Sequence, residues 1–381
     1  MKEINEHVGV KIVRAATLGT SLYTFCEGFL KELKDGGYEV IALSSPDEDL
    51  TELGKKEGVR TIGIEMERHV SLWRDFVSLM KITQVLKKEK PDMVHSMTPK
   101  AGLLCMMAAK MAGVPVRLHT FTGLVWPTAT GVSRRILMMT DKITCACATH
   151  IVPEGEGVKQ DLQRCITKKP MKVLGYGNVR GINLDYWKRH TEGHNNNLFT
   201  FVFVGRIVGD KGINELVAAF VRLHKEYKDA RLLLVGRYEQ NLDPVLPETK
   251  RIIYTYNAIE AVGEKNDVRP FYEQSDVLVF PSYREGFPNV VLEAGAMELP
   301  SIVTNINGSR EIIEHGKNGL IVPPRDEQAL YEAMKWMAEH PDDRKKMAEK
   351  ARPMVASRYE QSFVRQCLKD FYKEILSSEK K

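Results

Sequence analysis

Short β-branched runs alternate with amphipathic stretches along this chain, and the alternation lapses once and then restarts. "VKIVRAA" (10–16), "YEVIALSSP" (38–46), "VRTIGIE" (59–65), "DMVHSMT" (92–98), "VPVRLHTF" (114–121), "THIVP" (149–153) and "MKVLGYG" (171–177) each read as a strand. Between them lie segments with apolar residues at helical spacing, such as "SLYTFCEGFLKELKDGG" (21–37), read as one helix ending at Gly36 and Gly37, and "PKAGLLCMMAAKMAG" (99–113). Strands apolar on both faces and separated by helices can satisfy both faces only in a parallel sheet covered on each side. The pattern lapses in the Asn- and Gly-rich "GINLDYWKRHTEGHNNNL" and resumes with "LFTFVFVG" (198–205), "ARLLLVG" (230–236), strand-like "RIIYTY" (251–256) and "AIEAVG" (258–263), "DVLVFPS" (276–282), "PSIVTN" (300–305) and "GLIVPP" (319–324). The expectation is an α/β chain of two Rossmann-like, doubly wound domains: 1–180, a linker 181–198, a second domain 199–358, and a terminal segment 359–381 able to cross back. In such sheets a ligand cleft lies at the carboxyl ends of the strands.

Length agrees, since 381 residues exceed one ordinary core. A hydrophobic content of 43% against 28% charged residues is that of a water-soluble globular protein. The longest uncharged apolar run, "AGLLCMMAA" (101–109), is half the length of a membrane span, and the polar N-terminus has no signal-like apolar segment. The six cysteines are scattered, and Cys145 and Cys147 are spaced wrongly for a zinc knuckle. Buried free thiols in a reducing, cytoplasmic setting are expected, with no metal and no cofactor. Charge is uneven: residues 1–180 hold 26 Lys and Arg against 20 Asp and Glu, the remainder 29 against 30. That basic excess suits a phosphorylated substrate or an anionic membrane surface, and chance serves as well. Nucleic acid is not expected, because no aromatic platform is interleaved with the basic residues.

Two stretches carry chemistry. "RIVGDKG" (206–212) follows an apolar strand and opens onto a helix; Arg206 can offer a bidentate fork and Lys211 a point charge, with backbone N–H groups at the helix start. A diphosphate suits it, and so does a solvated basic turn. In "SYREGFPNVVLEA" (282–294), Pro288 suits the first position of a helix, leaving the amides of Asn289, Val290 and Val291 toward the cleft with the positive end of the helix dipole. Glu285 precedes that helix and Glu293 lies inside it. Carboxylates accept paired hydrogen bonds from vicinal hydroxyls, so two of them flanking a phosphate site imply sugar on either side of a diphosphate, as in a sugar nucleotide. For either glutamate alone the favoured reading is structural, Glu285 as a helix cap and Glu293 as a surface residue.

This Glu-x7-Glu stretch, preceded by "DVLVFPS" and followed by "PSIVTNINGSREIIEHGKNGLIVPPRD", closely resembles the retaining GT-B glycosyltransferases that build bacterial surface polysaccharides and lipid-linked oligosaccharides. The resemblance covers nearly all of 199–340 and, more weakly, 1–180 through "VHSMTPKAGLL" and "VPVRLHTFTGL", which resemble hexosaminyl- and galactosaminyltransferases acting on undecaprenyl-diphosphate sugars. It implies that Arg206 and Lys211 bind the donor diphosphate, that Glu293 holds the ribose, and that Glu285 contacts the hexose with the backbone of Gly286, Phe287, Asn289 and Val290. It implies that Val262, Gly263 and Val268 seat the base, uridine by family prevalence, and that Gly19, in "TLGTSL" where a double glycine is commoner, approaches the diphosphate. His119 matches the histidine beside the donor sugar on the acceptor side; a core histidine is the alternative.

The implied reaction moves a hexosyl or N-acetylhexosaminyl group to an acceptor hydroxyl with retention, by front-face attack. Arg206, Lys211 and the helix start stabilise the leaving group, without an Asp-x-Asp metal clamp. On the acceptor side, Lys100 at a helix start suits a phosphate. Trp126 lies in "LVWPTATGVSRRILMM" (124–139), which with "SLWRDFVSLMKITQVLKK" (71–88) could form interfacial stripes for a lipid-linked acceptor on the inner membrane face. A sugar-nucleotide 2-epimerase of the same fold, or a non-catalytic nucleotide-sugar-binding protein, stays open.

Overall fold

The computed structural model describes residues 9–67, 71–190, 198–239 and 243–378. The chain forms two compact units, one of residues 1–180 with 362–381 and one of residues 181–361.

In the first unit, β1 (Lys11–Ala15), β2 (Glu39–Ser44), β3 (Arg60–Gly63), β4 (Met93–Met97), β5 (Val116–Phe121) and β6 (His150–Pro153) form one sheet in the order β3-β2-β1-β4-β5-β6. Every pair is parallel, with Val13 opposite Ile41 on one side and Val94 on the other. Val13, Ile41 and Val94 are fully buried, so the register that keeps them from water is the one adopted. The chain winds from β1 out to β3 and then crosses to β4, so the order reverses between β1 and β4.

Two helices stand where the sequence predicts one. Gly28, at φ +75°, separates Gly19–Cys26 from Phe29–Asp35, and the Glu57 carboxylate accepts from the N–H groups of Gly28 at 2.7 Å and Lys31 at 2.9 Å. "MKVLGYG" is not a strand: Gly175 and Gly177 take positive φ, and the Lys172 N–H bond to the Ile151 carbonyl does not extend into a ladder. The helix Gln361–Ser378 lies against this unit, with Leu368, Phe371, Tyr372 and Ile375 in a core shared with Val10, Ile12 and Met93. Tyr372 meets the Arg14 guanidinium, which is fully buried and also faces His95 and Cys26.

In the second unit, β7 (Phe199–Val204), β8 (Ala230–Val235), β9 (Ile259–Gly263), β10 (Val277–Phe280), β11 (Ser301–Thr304) and β12 (Gly319–Val322) run parallel in the order β12-β11-β10-β7-β8-β9, which reverses between β7 and β10. "RIIYTY" belongs to the helix Pro247–Thr255, not to a strand; Pro247 sets its start, Glu248 pairs with Arg251 one turn on, and Ile253 is its buried residue beside Thr249. Of the segment 181–198, residues 191–197 lie outside the described residues. Its first part is no free linker, because Ile182 and Trp187 are buried in this unit's core and Ile182 bridges to Glu360.

Candidate active site

In the second unit the two loops flanking the reversal come together. The loop after β7 reaches Gly212, at φ +71°, and a side chain there would come within 2.2 Å of the Pro281 carbonyl oxygen at the end of β10. Glycine lets the two backbones touch. The contact sets Lys211 against Glu285: their side chains form an ion pair with only 15% and 17% exposed, and the ammonium lies 5.3 Å from the centre of the Phe280 ring. Ser282 Oγ donates to Glu285 Oε1 at 2.7 Å, so that one carboxylate oxygen is held from two sides. Asp210 accepts at its carbonyl from the Tyr283 N–H at 2.8 Å and at its carboxylate from Arg284 at 2.9 Å. Behind the loop stands Gly308, at φ +72°, where a Cβ would lie 2.4 Å from the Gly286 carbonyl oxygen and 2.7 Å from Phe287 Cα.

The helix that follows runs Asn289–Ala296 with Pro288 as its N-cap, one position earlier than expected. Val291 does not offer a free amide: it is buried, and its N–H returns to the Pro288 carbonyl at 3.1 Å. Asn289 and Val290 are half-buried, and Phe287 is buried with its ring 5.3 Å from that of Tyr359. The expected amide donors of "RIVGDKG" are likewise engaged, Gly209 and Asp210 by Asp243, Lys211 by Val208 and Gly212 by Gly209. The cationic side chains, not these amides, are therefore what this loop can present to an anion. Arg206, 42% exposed, pairs with Glu239; such an exposed pair is weak, and its guanidinium can change partner.

Glu293 is 8% exposed and faces Tyr272, whose hydroxyl lies 3.5 Å from Glu293 Oε2 and 3.3 Å from the Val290 carbonyl. Burial and the neighbouring carboxylate push the Tyr272 phenol well above its usual range, so it stays a proton donor. Tyr272 sits on the helix Arg269–Glu273, of which Val268 is the N-cap, and Gly263 closes β9 at φ +75°, its carbonyl accepting from the Gly236 N–H at 3.0 Å. The structure thus brings Lys211 and Glu285 into contact and sets Val268 and Glu293 on the two helices that Tyr272 joins. Ser282 and Tyr272 hold the two glutamates and carry no role in the sequence reading: Ser282 opens the Glu-x7-Glu stretch itself, while Tyr272 stands outside it.

In the first unit, His119 on β5 is 2% exposed, with Nδ1 2.8 Å from Ser96 Oγ and its ring edge-on to Phe121 at 4.5 Å. Burial holds its imidazole down to about 3, so it is neutral. Gly102 makes room for it, since a Cβ there would lie 2.4 Å from His119 Cε1. Thr98, just past β4, takes φ +65° and ψ 147°, and its hydroxyl bonds the Thr17 N–H at 3.0 Å and the Thr17 hydroxyl at 2.8 Å across the reversal. Three expectations change here. Gly19 spends its N–H on the Asp47 carboxylate at 2.8 Å, and a Cβ there would lie 1.8 Å from Asp47 Oδ1, so that helix cap already requires its missing side chain. Lys100 is no free cation: Asp75 chelates its ammonium at 2.6 and 2.7 Å. Trp126 is 2% exposed and cannot face a membrane.

The profile of glycosyl transferases group 1 matches residues 188–354, and that of the glycosyl transferase 4-like domain matches residues 23–177. Over 376 residues the chain is 31% identical to the capsular polysaccharide biosynthesis glycosyltransferase CapM of Staphylococcus aureus, covering 96% of this chain and 97% of that one. It is 29% identical over 287 residues to the Escherichia coli UDP-Gal:alpha-D-GlcNAc-diphosphoundecaprenol alpha-1,3-galactosyltransferase, covering 70% and 71%. Among solved structures, Anabaena HepE in complex with UDP has a TM-score of 0.78 at 16% identity, over 96% of this chain and all of HepE, a likeness of GT-B fold. The sustained identity and the two profiles together place this chain in the family of group 1 glycosyl transferases with a glycosyl transferase 4-like domain.

Proposed function

We propose that this glycosyltransferase moves a hexosyl or N-acetylhexosaminyl group from a nucleoside-diphosphate sugar, UDP being the favoured carrier, to a hydroxyl of a lipid-diphosphate-linked saccharide in surface polysaccharide biosynthesis. It does so with retention and without a metal ion. The observation that carries the donor reading is the Lys211–Glu285 pair, two charges held side by side where the strand order of the second unit reverses. In this reading Lys211 and Arg206 meet the diphosphate and take up the charge that develops on the departing phosphate oxygen, the work a metal would otherwise do. Glu285 accepts from the hexose and Glu293 from the ribose. Lys211 and Ser282 both hold Oε1 of Glu285, which orients the carboxylate as a hydrogen-bond acceptor for the hexose; in this reading transfer proceeds by front-face attack.

The lipid-linked acceptor rests on the first unit. Leu72, Trp73 and Phe76 are 85%, 74% and 52% exposed on the helix Leu72–Glu89, and Val132, Ile136 and Met139 are 71%, 46% and 56% exposed along one face of the helix Gly131–Cys147, beside exposed Arg134 and Arg135. Both helices flank Pro99–Ala112. Apolar rows rimmed by arginines suit an anionic bilayer surface. Among the described residues no helix is long and apolar enough to cross a membrane.

The test is a panel of nucleotide sugars incubated with and without a polyprenyl-diphosphate saccharide and with chelator, following nucleoside diphosphate release and the anomeric coupling of the product. Release that persists in chelator and an unchanged anomeric configuration are expected. A panel in which no nucleotide sugar is consumed would overturn the donor assignment.

A further inference from the structure

Tyr283 stands two residues before Glu285 and is held at three points by three other segments of the second unit. Its N–H donates to the Asp210 carbonyl at 2.8 Å, in the loop after β7 and next to Lys211. Its hydroxyl donates to Glu215 Oε1, in the first turn of the helix Ile213–Glu226. Its ring carries the Arg325 guanidinium, 4.6 Å from the ring centre, which comes from the loop after β12. Burial, with Glu215 adding to it, pushes the phenol up, so it stays a donor at neutral pH. The other oxygen of Glu215, Oε2, is buried and has no hydrogen-bond partner among the described residues, so this carboxylate depends on the tyrosine. Arg325 takes φ +61°, a left-handed conformation that a non-glycine residue enters at a cost, and it is exposed, so no burial of its own offsets that cost.

We propose that Tyr283 is a positioning residue for Glu285, holding the loop after β10 in place through Glu215 and Arg325 when Lys211 leaves the carboxylate for the donor's diphosphate. The inference rests on the proposed donor reading and deepens it. Lys211 and Ser282 both hold Glu285 Oε1. Lys211 cannot turn to a diphosphate and keep that bond whole, so an arriving donor takes away one of the two. Ser282 and the backbone must then aim the carboxylate at the hexose, and Ser282 belongs to the same loop and moves with it. Tyr283 ties that loop to a helix and to the end of β12, neither of which carries Lys211 or Glu285. A misplacement of about 1 Å at a reacting centre can cost about 100-fold in rate, and strain at Arg325 is tolerable on that scale.

The test combines Tyr283→Phe, Arg325→Gly and Glu285→Ala. Tyr283→Phe keeps the ring and the backbone bond and loses the hydroxyl. It is expected to lower kcat by about 10- to 100-fold with the nucleotide sugar that the parent protein uses best. Added to Glu285→Ala it should cost no more than about a further twofold, because it acts through the carboxylate already removed. Affinity for UDP, which has no hexose for Glu285 to meet, should stay within about twofold by calorimetry. Arg325→Gly relieves the left-handed strain, so its urea midpoint should stay near the parent's while kcat falls by about 2- to 5-fold, the equivalent of one exposed cation–π contact. A role confined to stability would move midpoint and kcat together. Equal losses from Tyr283→Phe in both backgrounds, a fall in UDP affinity matching the fall in kcat, or parental turnover by Arg325→Gly overturns this inference and leaves the donor reading in place. Should Tyr283→Phe fail to fold, Arg325→Gly decides alone, by kcat against midpoint. A parent protein that consumes no nucleotide sugar removes the donor reading and this inference with it.

Discussion

Lys211 and Glu285 are bound side chain to side chain, one from the loop after β7 and the other from the loop after β10, at the reversal of the second sheet. Neither has a strong reason of packing to be there: the pair is mostly buried, and burying charges costs what their attraction returns. An anion arriving at Lys211 would supply that reason. Lys211→Ala is therefore expected to lower kcat by about 10²- to 10³-fold, the range for losing one group that stabilises developing charge, while Glu285→Gln keeps the Ser282 contact and loses less. Steady-state kinetics with a saturating nucleotide sugar measures both. Turnover by Lys211→Ala close to that of the parent protein would remove this lysine from the chemistry.

Gly212 and Gly308 fix the loop that carries Glu285, one by touching Pro281 and the other by touching Gly286 and Phe287. Both have positive φ, and an added Cβ would also meet backbone that cannot move aside. Gly212→Ala should cost about 1–3 kcal/mol in stability from the backbone conformation alone, with more from the clash. Denaturant titration gives the value. An unchanged midpoint would show that the two loops are not packed as described.

The sheets were legible because their central strands are buried on both faces, as in "FTFVFV" and "VLVF". Where a β-branched run has another use, the reading failed: "RIIYTY" needs one buried face and is opened by Pro247, both of which a helix provides. The site was legible as a motif and illegible as a set of contacts. Lys100 looked like an anion hook because its partner Asp75 stands 25 residues earlier on another helix. Trp126 looked interfacial because a stripe of apolar residues and arginines does not reveal which of its members turns inward. Amide donors were counted as free for the same reason: Asp243, which takes those of Gly209 and Asp210, lies more than thirty residues along the chain.

Acid stability follows from three buried groups in the first unit. His119 is held down to about 3 and His95 is held well below its usual value, both chiefly by burial, with Arg14 adding to the second. Below about pH 6.5 the unfolded chain takes up protons at both histidines and the folded chain does not, so stability falls as pH falls, by about 1.4 kcal/mol per unit per proton. Asp141 works the other way: raised to about 7, it is protonated when folded and ionised when unfolded between about pH 4 and 7, so it adds stability as pH falls through that window. Asp141→Asn should remove this opposing term and steepen the loss of stability between pH 6.5 and 4, and His119→Gln should flatten it. Urea midpoints across that range decide. Parallel curves for Asp141→Asn and the parent would show that Asp141 titrates normally.

The proposed membrane contact rests on the apolar faces of Leu72–Glu89 and Gly131–Cys147. Trp73 and Phe76 stack on each other at 6.2 Å while both remain exposed, an arrangement that shields little of either from water. Inserted among lipid headgroups, the two rings with Leu72 would bury most of that surface, and Arg134 and Arg135 would meet anionic phosphates. The attraction has two parts with different signatures. The apolar part should survive salt, and the basic part should weaken as the Debye length shortens. Flotation with vesicles containing anionic lipid is expected to carry the parent protein at low salt and less of it at about 0.5 M. Trp73→Glu with Phe76→Glu should abolish flotation in both, and Arg134→Gln with Arg135→Gln should remove only the salt-sensitive part. UDP release from a nucleotide sugar in the absence of lipid should be the same for all of these variants, because none of the four residues lies in the second unit, which holds the proposed donor site. Parent protein left wholly in the unbound fraction at low salt would argue for a water-soluble acceptor.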